Sequence, residues 1–305
     1  MSGHAPLFEH EYSDTFVADL REFLATRGGD RWLELHGNGP TSRMARFEAQ
    51  TLAELEHHCG PLAGKRVLDF GCGTGTLTPM LASDASEVVA FDVSAPAMVI
   101  TERRLKEHGF EGVRTLLAPG FGDVAAEAGT FDLVMMHAVF EHVPASIPGL
   151  RRRVLREAFD ALRPGGHLFI TESPNRLWPR DIYCTGLWLL PWTAAGSPRS
   201  YHRALARGVH HDPDGRGPIT LEERGAWGFT YWSLRKALAD RPADVVNLRA
   251  GHDRWVRYGR RLSARRRAFE TATYYGITKT AGVPIVALAP MLSPLVVQRR
   301  DEDAR

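Results

Sequence analysis

The apolar residues of this chain change period along its length, and the changes mark its elements. Val67-Leu68-Asp69-Phe70, Val88-Val89-Ala90-Phe91 and the run from Phe131 to Met136 are short, nearly continuous apolar stretches rich in β-branched and aromatic residues. That is the signature of strands buried on both faces. Strands are expected at 66–70, 87–91, 113–118, 131–136 and 167–171, with two later ones at 245–248 and 295–298. Helical spacing fills the intervals: a helix starts near 76–81, and others cover 95–108 and 148–162, the last joined to its strand by the turn Arg163-Pro164-Gly165-Gly166. Strands alternating with helices demand a parallel sheet covered on both faces.

The flanks read differently. Before the sheet, 16–24 and 44–57 carry helical apolar spacing, and 32–40 between them reads as a loop with a polar tip. After it, 173–227 crowds prolines, glycines, histidines and aromatics with no long periodic run, the pattern of a lid or binding loop. A helix is expected at 230–240, and the Arg-rich stretch 260–267 opens another. The apolar stretch 281–297 holds Pro284, Pro290 and Pro294, too many prolines for a spanning helix. The expected organisation is a helical cap over 1–62, a ligand-binding core over 63–175, an insertion over 176–229 and a completion of the core over 230–305.

Composition narrows this little. With 305 residues, 44% hydrophobic and 24% charged, the chain can bury a full core. A net charge of +2 gives no electrostatic case for a nucleic-acid partner. Cys59, Cys72 and Cys184 are three, far apart and without metal-ligand spacing, which fits a reduced, cytoplasmic setting. The N-terminal residues include acids and no apolar run, so no signal peptide is expected. No metal is expected either: His210-His211-Asp212 lacks a second cluster at ligand spacing.

The chemistry concentrates at Gly71-Cys72-Gly73-Thr74-Gly75, directly after the first strand. Glycine there allows a sharp turn and close approach to a ligand, at the point where open α/β sheets bind theirs. The spacing is G-x-G-x-G, preceded by Asp69, rather than the G-x-G-x-x-G of dinucleotide folds. Asp92 closes the second strand, the position that grips ribose hydroxyls. Taken with FDLVMMHAVFEHV and LRPGGHLFI, the segments VLDFGCGTG and VVAFDVS resemble the class I S-adenosylmethionine (SAM)-dependent methyltransferases, over about the middle third of the chain.

The resemblance implies a seven-stranded, mostly parallel Rossmann-like sheet with helices on both faces, an N-terminal helical cap and a lid inserted after strand five. It implies SAM as cofactor. Asp69, Gly71, Cys72, Gly73 and Gly75 would shape the methionine side, Asp92 the ribose, and Val93 and Met98 the adenine side. The family often has an acid after strand three; here Pro119-Gly120 stands in its place, so either Asp123 reaches round to the adenine or the backbone of Gly120 and Phe121 binds it. His137 would reach the cofactor at the end of strand four. Arg43 and Arg46 lie one turn apart, facing either the SAM carboxylate or solvent.

In the matching Glu141-His142-Val143, His142 acts as a base or braces its loop. His137 and Tyr183 complete the catalytic candidates. Ser173 to Tyr183 (SPNRLWPRDIY) resembles a bacterial subgroup acting on small molecules, in which histidine often stands where this chain has Tyr183. Asn175, Trp178, Tyr183, Tyr201 and His202 are the acceptor-binding candidates. The aromatics, Trp188 included, face a cation or fill the lid core. The expectation is methyl transfer to an oxygen or nitrogen of a small metabolite, with no nucleic acid, no membrane insertion, and a homodimer left open. The alternative is that SAM is itself the substrate, cyclised to azetidine-2-carboxylate with release of methylthioadenosine.

Overall fold

The computed structural model describes residues 6–25, 30–118, 124–247 and 263–301. The strands are β1 (Arg66–Phe70), β2 (Glu87–Asp92), β3 (Arg114–Leu117), β4 (Phe131–His137), β5 (Leu162–Thr171), β6 (Ser173–Pro174), β7 (Ala243–Val245), β8 (Met291–Leu292) and β9 (Leu295–Arg299). Seven form one sheet in the order β3-β2-β1-β4-β5-β9-β7, and β6 pairs with β8 separately. β1 runs parallel to β2 and β4, β2 runs parallel to β3, and β7 is antiparallel to β9. This is the mostly parallel α/β sheet expected. Its order reverses between β1 and β4, so the turn leaving β1 sits at the switch point. Val67, Leu68 and Phe70 are fully buried, as are Leu133 to Met136, which explains their continuous apolar runs.

The described residues fall into two compact units. One comprises the chain up to Met135 with Asp160–His167, and the other Met136–Phe159 with the chain from Leu168. In the first, α1 (Asp14–Leu24) is capped by the Ser13 side chain and buries Phe16, Leu20 and Leu24 with Ile100 of α6 (Ala95–Glu107). The other helices of this unit used below are α2 (Asp30–His36), α3 (Arg43–Phe47), α4 (Ala53–Cys59) and α5 (Thr78–Asp84). The second unit carries α8 (Leu150–Asp160) except its last residue, which falls in the first, together with α9 (Pro198–Ala206), α10 (Pro218–Glu223) and α11 (Tyr231–Ala237); α7 (Val124–Ala128) belongs to the first.

Several boundaries differ from expectation. The stretch 32–40 is not all loop, because Trp32 and Leu33 pack against the α1 cluster and draw 30–36 into α2. The Gly-Asn-Gly-Pro signal only ends that helix, with Gly37 N donating to Leu33 O at 2.7 Å. The helix at 44–57 is α3 and α4 joined by a π turn, Glu48–Leu52. β5 starts at Leu162 rather than 167: a Cβ on Gly166 would lie 3.0–3.1 Å from the Phe131 and Asp132 carbonyls, so glycine lets the Arg-Pro-Gly-Gly turn join the sheet edge to edge. The strand expected at 245–248 is β7, placed earlier, and residue 248 lies outside the described residues. The irregular 173–227 contains two short helices, α9 and α10. Of the Arg-rich 260–267, residues 260–262 lie outside the described set, and a helix spans Ala264–Thr273.

Candidate active site

The glycine turn in the first unit is held from three directions. Gly71, Gly73 and Gly75 have φ of 78°, 59° and 66°, in the left-handed region that glycine enters without strain. Gly71 N and Cys72 N both donate to Phe91 O, at 2.7 and 2.9 Å, fastening the turn to the end of β2. Gly73 N donates to Asp92 Oδ2 at 2.8 Å, while Ser94 N donates to Asp92 Oδ1 at 2.8 Å. Asp92 therefore shapes the turn and keeps a lone pair on each oxygen for a further donor. Ser94, not Asp92, caps α6. A Cβ on Gly75 would come within 2.8 Å of Thr101 Cγ2, so glycine lets α6 close on the turn. A Cβ on Gly73 would meet nothing within 4 Å: that side is open.

Beneath the turn, Thr78 Oγ1 donates to Asp69 Oδ2 at 2.7 Å. Burial, with Asp92 adding its charge, pushes the Asp69 carboxyl up to about 6 despite that bond. Burial and the same two acids push the Cys72 thiol well up, so it is an inert group, 3.6 Å from Met98 Sδ.

Sequence reading missed the group that ties this turn to the N-terminal helices. Arg104 on α6 is fully buried. Its Nε donates to Thr74 O at 2.8 Å, its Nη2 to His36 O at 2.7 Å, and its Nη1 to the Tyr12 hydroxyl. Burial lowers its pKa, and Tyr12 opposes the shift. His36 Nδ1 reaches Thr74 Oγ1 and Thr76 Oγ1 at 2.9 and 3.2 Å, and its ring stacks on Trp32 at 5.2 Å. In sequence, Arg104 sits in the charged run Arg103-Arg104-Leu105-Lys106, which looks like a solvated face. Only its place on the inward face of α6 distinguishes it.

Of the two N-terminal arginines, Arg46 is exposed and Arg43 half-buried. Arg43 Nε is buried with no hydrogen-bond partner, and its guanidinium lies 6.0 Å from the Trp32 ring centre. Val93 is exposed and Met98 buried. Gly120, Phe121 and Asp123 lie outside the described residues.

The second unit carries its own polar cluster. Ala138 and Glu172 follow the ends of β4 and β5 with φ of 54° and 56°, strained values for non-glycine residues of the kind stored at functional sites. His137 Nε2 lies 3.4 Å from Glu172 Oε2. His142 Nδ1 is 2.6 Å from the Glu223 carbonyl, and Nε2 is 3.1 Å from the Tyr183 hydroxyl. A carbonyl only accepts, so Nδ1 carries the proton, and in the neutral ring Nε2 accepts from Tyr183. Glu141, fully buried, accepts from Ser173 Oγ at 2.9 Å. Arg151 braces the stretch by donating to Val143 O at 2.8 Å and Gly228 O at 2.7 Å, and Glu222 Oε2 accepts from Ala145 N and Ser146 N at 2.7 and 2.9 Å. Gly225 is required here, because its Cβ would lie 2.8 Å from the Tyr183 ring.

The other acceptor candidates are placed unequally. Asn175 is committed to the fold: Nδ2 donates to Ala287 O and Ala289 O, both at 2.8 Å, and Oδ1 accepts from Leu177 N. Trp178 Nε1 donates to Leu288 O at 3.1 Å. Tyr201 is buried and donates to Asp212 Oδ2 at 2.7 Å, whereas His202 next to it is exposed. Trp188 is exposed too. His210 is absorbed by Thr220 and Arg224, at 2.8 and 3.0 Å.

A family model described as a methyltransferase domain matches residues 42–210, over half of the chain. The chain belongs to the methyltransferase family. The ubiquinone biosynthesis O-methyltransferase of Ralstonia nicotianae is 34% identical over 185 residues, covering 52% of this chain and 73% of that protein. Its namesake from Xanthomonas axonopodis pv. citri is 33% identical over 222 residues, covering 72% and 81%. A solved structure from Galdieria sulphuraria, assigned as a sarcosine dimethylglycine methyltransferase, shares the fold with a TM-score of 0.50 at 12% identity, covering 93% of this chain and 99% of that one.

This SAM-dependent methyltransferase has residues that fit its cofactor. The open side of Gly73 admits a ligand against backbone, and the orphaned Arg43 Nε suits a carboxylate. Among the described residues no helix is long and apolar enough to cross a membrane.

Proposed function

We propose that this methyltransferase modifies an oxygen of a small metabolite, with the Tyr183–His142 pair taking up the acceptor's proton. The carrying observation is the pair of contacts His142 makes, Nδ1 to the Glu223 carbonyl and Nε2 to the Tyr183 hydroxyl, from which its tautomer follows. Tyr183 Oη accepts the proton leaving the acceptor as its own passes to His142 Nε2. The Glu223 carbonyl then stabilises the imidazolium through Nδ1–H. Glu141, at 3.9 Å from Nε2, adds a favourable charge.

Bound SAM supplies an electrophilic methyl on a sulfonium with a neutral thioether as leaving group, so the chain's main task is positioning. Asp92 would receive the ribose hydroxyls, Gly71, Cys72, Gly73 and Gly75 the methionine portion, and Arg43 its carboxylate. Asp69 shapes the turn, and Val93 and Met98 flank the adenine side. His137 remains a candidate at the cofactor's reactive end. The resemblance also supports reading 1–62 as a cap, 63–175 as the SAM-binding core, 176–229 as the acceptor insertion and 230–305 as its completion. The O-methyltransferase relatives support a small-molecule acceptor over nucleic acid, and the three separated cysteines fit the cytoplasm.

Incubation of the purified protein with SAM and a panel of phenols, alcohols and amines, read by mass spectrometry, tests this. The expected result is S-adenosylhomocysteine (SAH) in step with an O-methyl product. Methylthioadenosine formed without any acceptor would overturn it in favour of SAM cyclisation, and N-methyl products alone would move the acceptor class.

A further inference from the structure

Between residues 176 and 193 the second unit holds a loop that buries Leu187 and Leu190 while five of its large apolar side chains face out. Leu177, Ile182, Trp188, Leu189 and Trp192 are 41% to 59% exposed. Hydrogen bonds tie the segments that carry four of them together. Trp192 Nε1 donates to Leu177 O at 3.0 Å, Leu189 N donates to Pro179 O, and the backbones of Arg180 and Trp188 form an antiparallel bridge. Single exposed apolar residues are ordinary, but five on one loop are not. The loop is also well built: Asp181 accepts from Tyr183 N, Cys184 N, Thr185 N and Thr185 Oγ1 at 2.6–3.1 Å, and Arg176 donates to Pro191 O and Thr193 O at 2.9 Å. Its exposed tips are therefore held outward by structure.

Charge gathers beside them. Arg199, Arg203 and Arg207 recur every four residues along α9 and its C-cap, so they share one helix face, and all are exposed. Arg203 Nη1 donates to Trp188 O at 3.1 Å, which sets that stripe against the apolar tip. Arg180 is exposed as well. From 176 to 210 the sequence holds a single acid, Asp181, which is 3% exposed with both oxygens in use.

We propose that this face docks peripherally on a bilayer rich in anionic headgroups. Tryptophan suits the headgroup boundary: Trp188 presents an apolar body with a polar N–H, and Trp192, whose N–H is held by Leu177 O, presents its ring. Leucine and isoleucine tips reach the acyl region, and arginines pair with phosphate. A second copy of this chain across a two-fold axis would set arginines against arginines, and 176–210 supplies no exposed acid to pair with them. A protein partner would need pockets shaped to each apolar tip, whereas a bilayer accepts any that project. The proposal does not depend on the acceptor's identity.

The test is co-sedimentation of the full-length protein with vesicles of phosphatidylcholine alone and with one-third phosphatidylglycerol, at low and high salt. The expected result is salt-sensitive binding to the anionic vesicles, at least tenfold weaker on phosphatidylcholine. The variant Leu189→Asn/Trp192→Ser loses binding tenfold or more. Arg199→Glu/Arg207→Glu loses about fivefold or more per arginine. Both should keep SAH affinity, and the second changes only solvent-facing groups, so it decides alone if the first misfolds. Absence of binding to anionic vesicles, or binding unchanged in a folded variant, would overturn the proposal. So would a concentration-dependent dimer in sedimentation velocity that Leu189→Asn/Trp192→Ser abolishes, or polyglutamate binding that it weakens equally, assigning the face to a second copy or an acidic protein.

Discussion

His142 Nε2 and the Tyr183 hydroxyl lie 3.1 Å apart, and the histidine's other nitrogen is 2.6 Å from the Glu223 carbonyl. The neutral ring therefore has one orientation of its protons, with Nε2 as acceptor. Tyr183→Phe deletes the hydroxyl proposed to meet the acceptor and leaves the ring packed. Its kcat should fall about 100-fold or more, with the KM for SAM changed less than about threefold. His142→Asn keeps a donor for the Glu223 carbonyl but removes Nε2. A comparable loss in initial rates marks the histidine as proton acceptor, and full activity would leave it a brace.

Asp92 accepts from Gly73 N and Ser94 N. Asp92→Asn keeps the shape but removes the charge and turns an amide donor toward one of those N–H groups. SAH affinity by calorimetry should weaken about 10- to 100-fold, the range for hydrogen bonds to a charged group.

Asp69 gives a pH signature. Its carboxyl, raised to about 6 in the folded protein, binds a proton that the unfolded chain releases at lower pH. Stability from this group is greatest at acid pH, declines as pH rises through about 4 to 6, and above that the native state carries an ionised, buried acid. The cost is on the order of 2–3 kcal/mol, at about 1.4 kcal/mol per pKa unit. Asp69→Asn, which still accepts from Thr78, should be the more stable protein in urea at pH 8, with the gap closing near pH 4.

Arg104 joins Tyr12, His36 and Thr74 through one guanidinium. Arg104→Met leaves two carbonyls and a hydroxyl without their donor and should cost about 3–5 kcal/mol by denaturant unfolding. Arg104→Lys should recover little, since an ammonium cannot span the fork. SAH binding should weaken with it, because Thr74 belongs to the glycine turn.

The sheet was legible because its strands are buried on both faces and leave continuous apolar runs, as Val67 to Phe70 and Leu133 to Met136 do. The cofactor turn was legible because left-handed backbone leaves glycines in the sequence. What could not be read was anything made by long-range convergence. His36 meets Thr74 and Thr76, 38 and 40 residues away, and Arg104 meets Tyr12 across 92. No local pattern records such a meeting. The acceptor candidates divided for the same reason: Asn175 and Tyr201 have their polar atoms spent on distant partners, while Tyr183 found His142. The helix 30–36 was hidden because its apolar residues are few and the breaker residues behind them dominate the local signal.

Asp181 has a consequence for how this enzyme can change. Its one carboxylate gathers the amides of 183, 184 and 185, and in doing so turns the half-buried Tyr183 toward His142 while its neighbour Ile182 faces water. The proposed proton pair and the proposed docking face thus pivot on a single carboxylate. The exposed side chain at 182 can vary without touching those bonds. Position 181 cannot, because a substitution there would unsettle both surfaces at once.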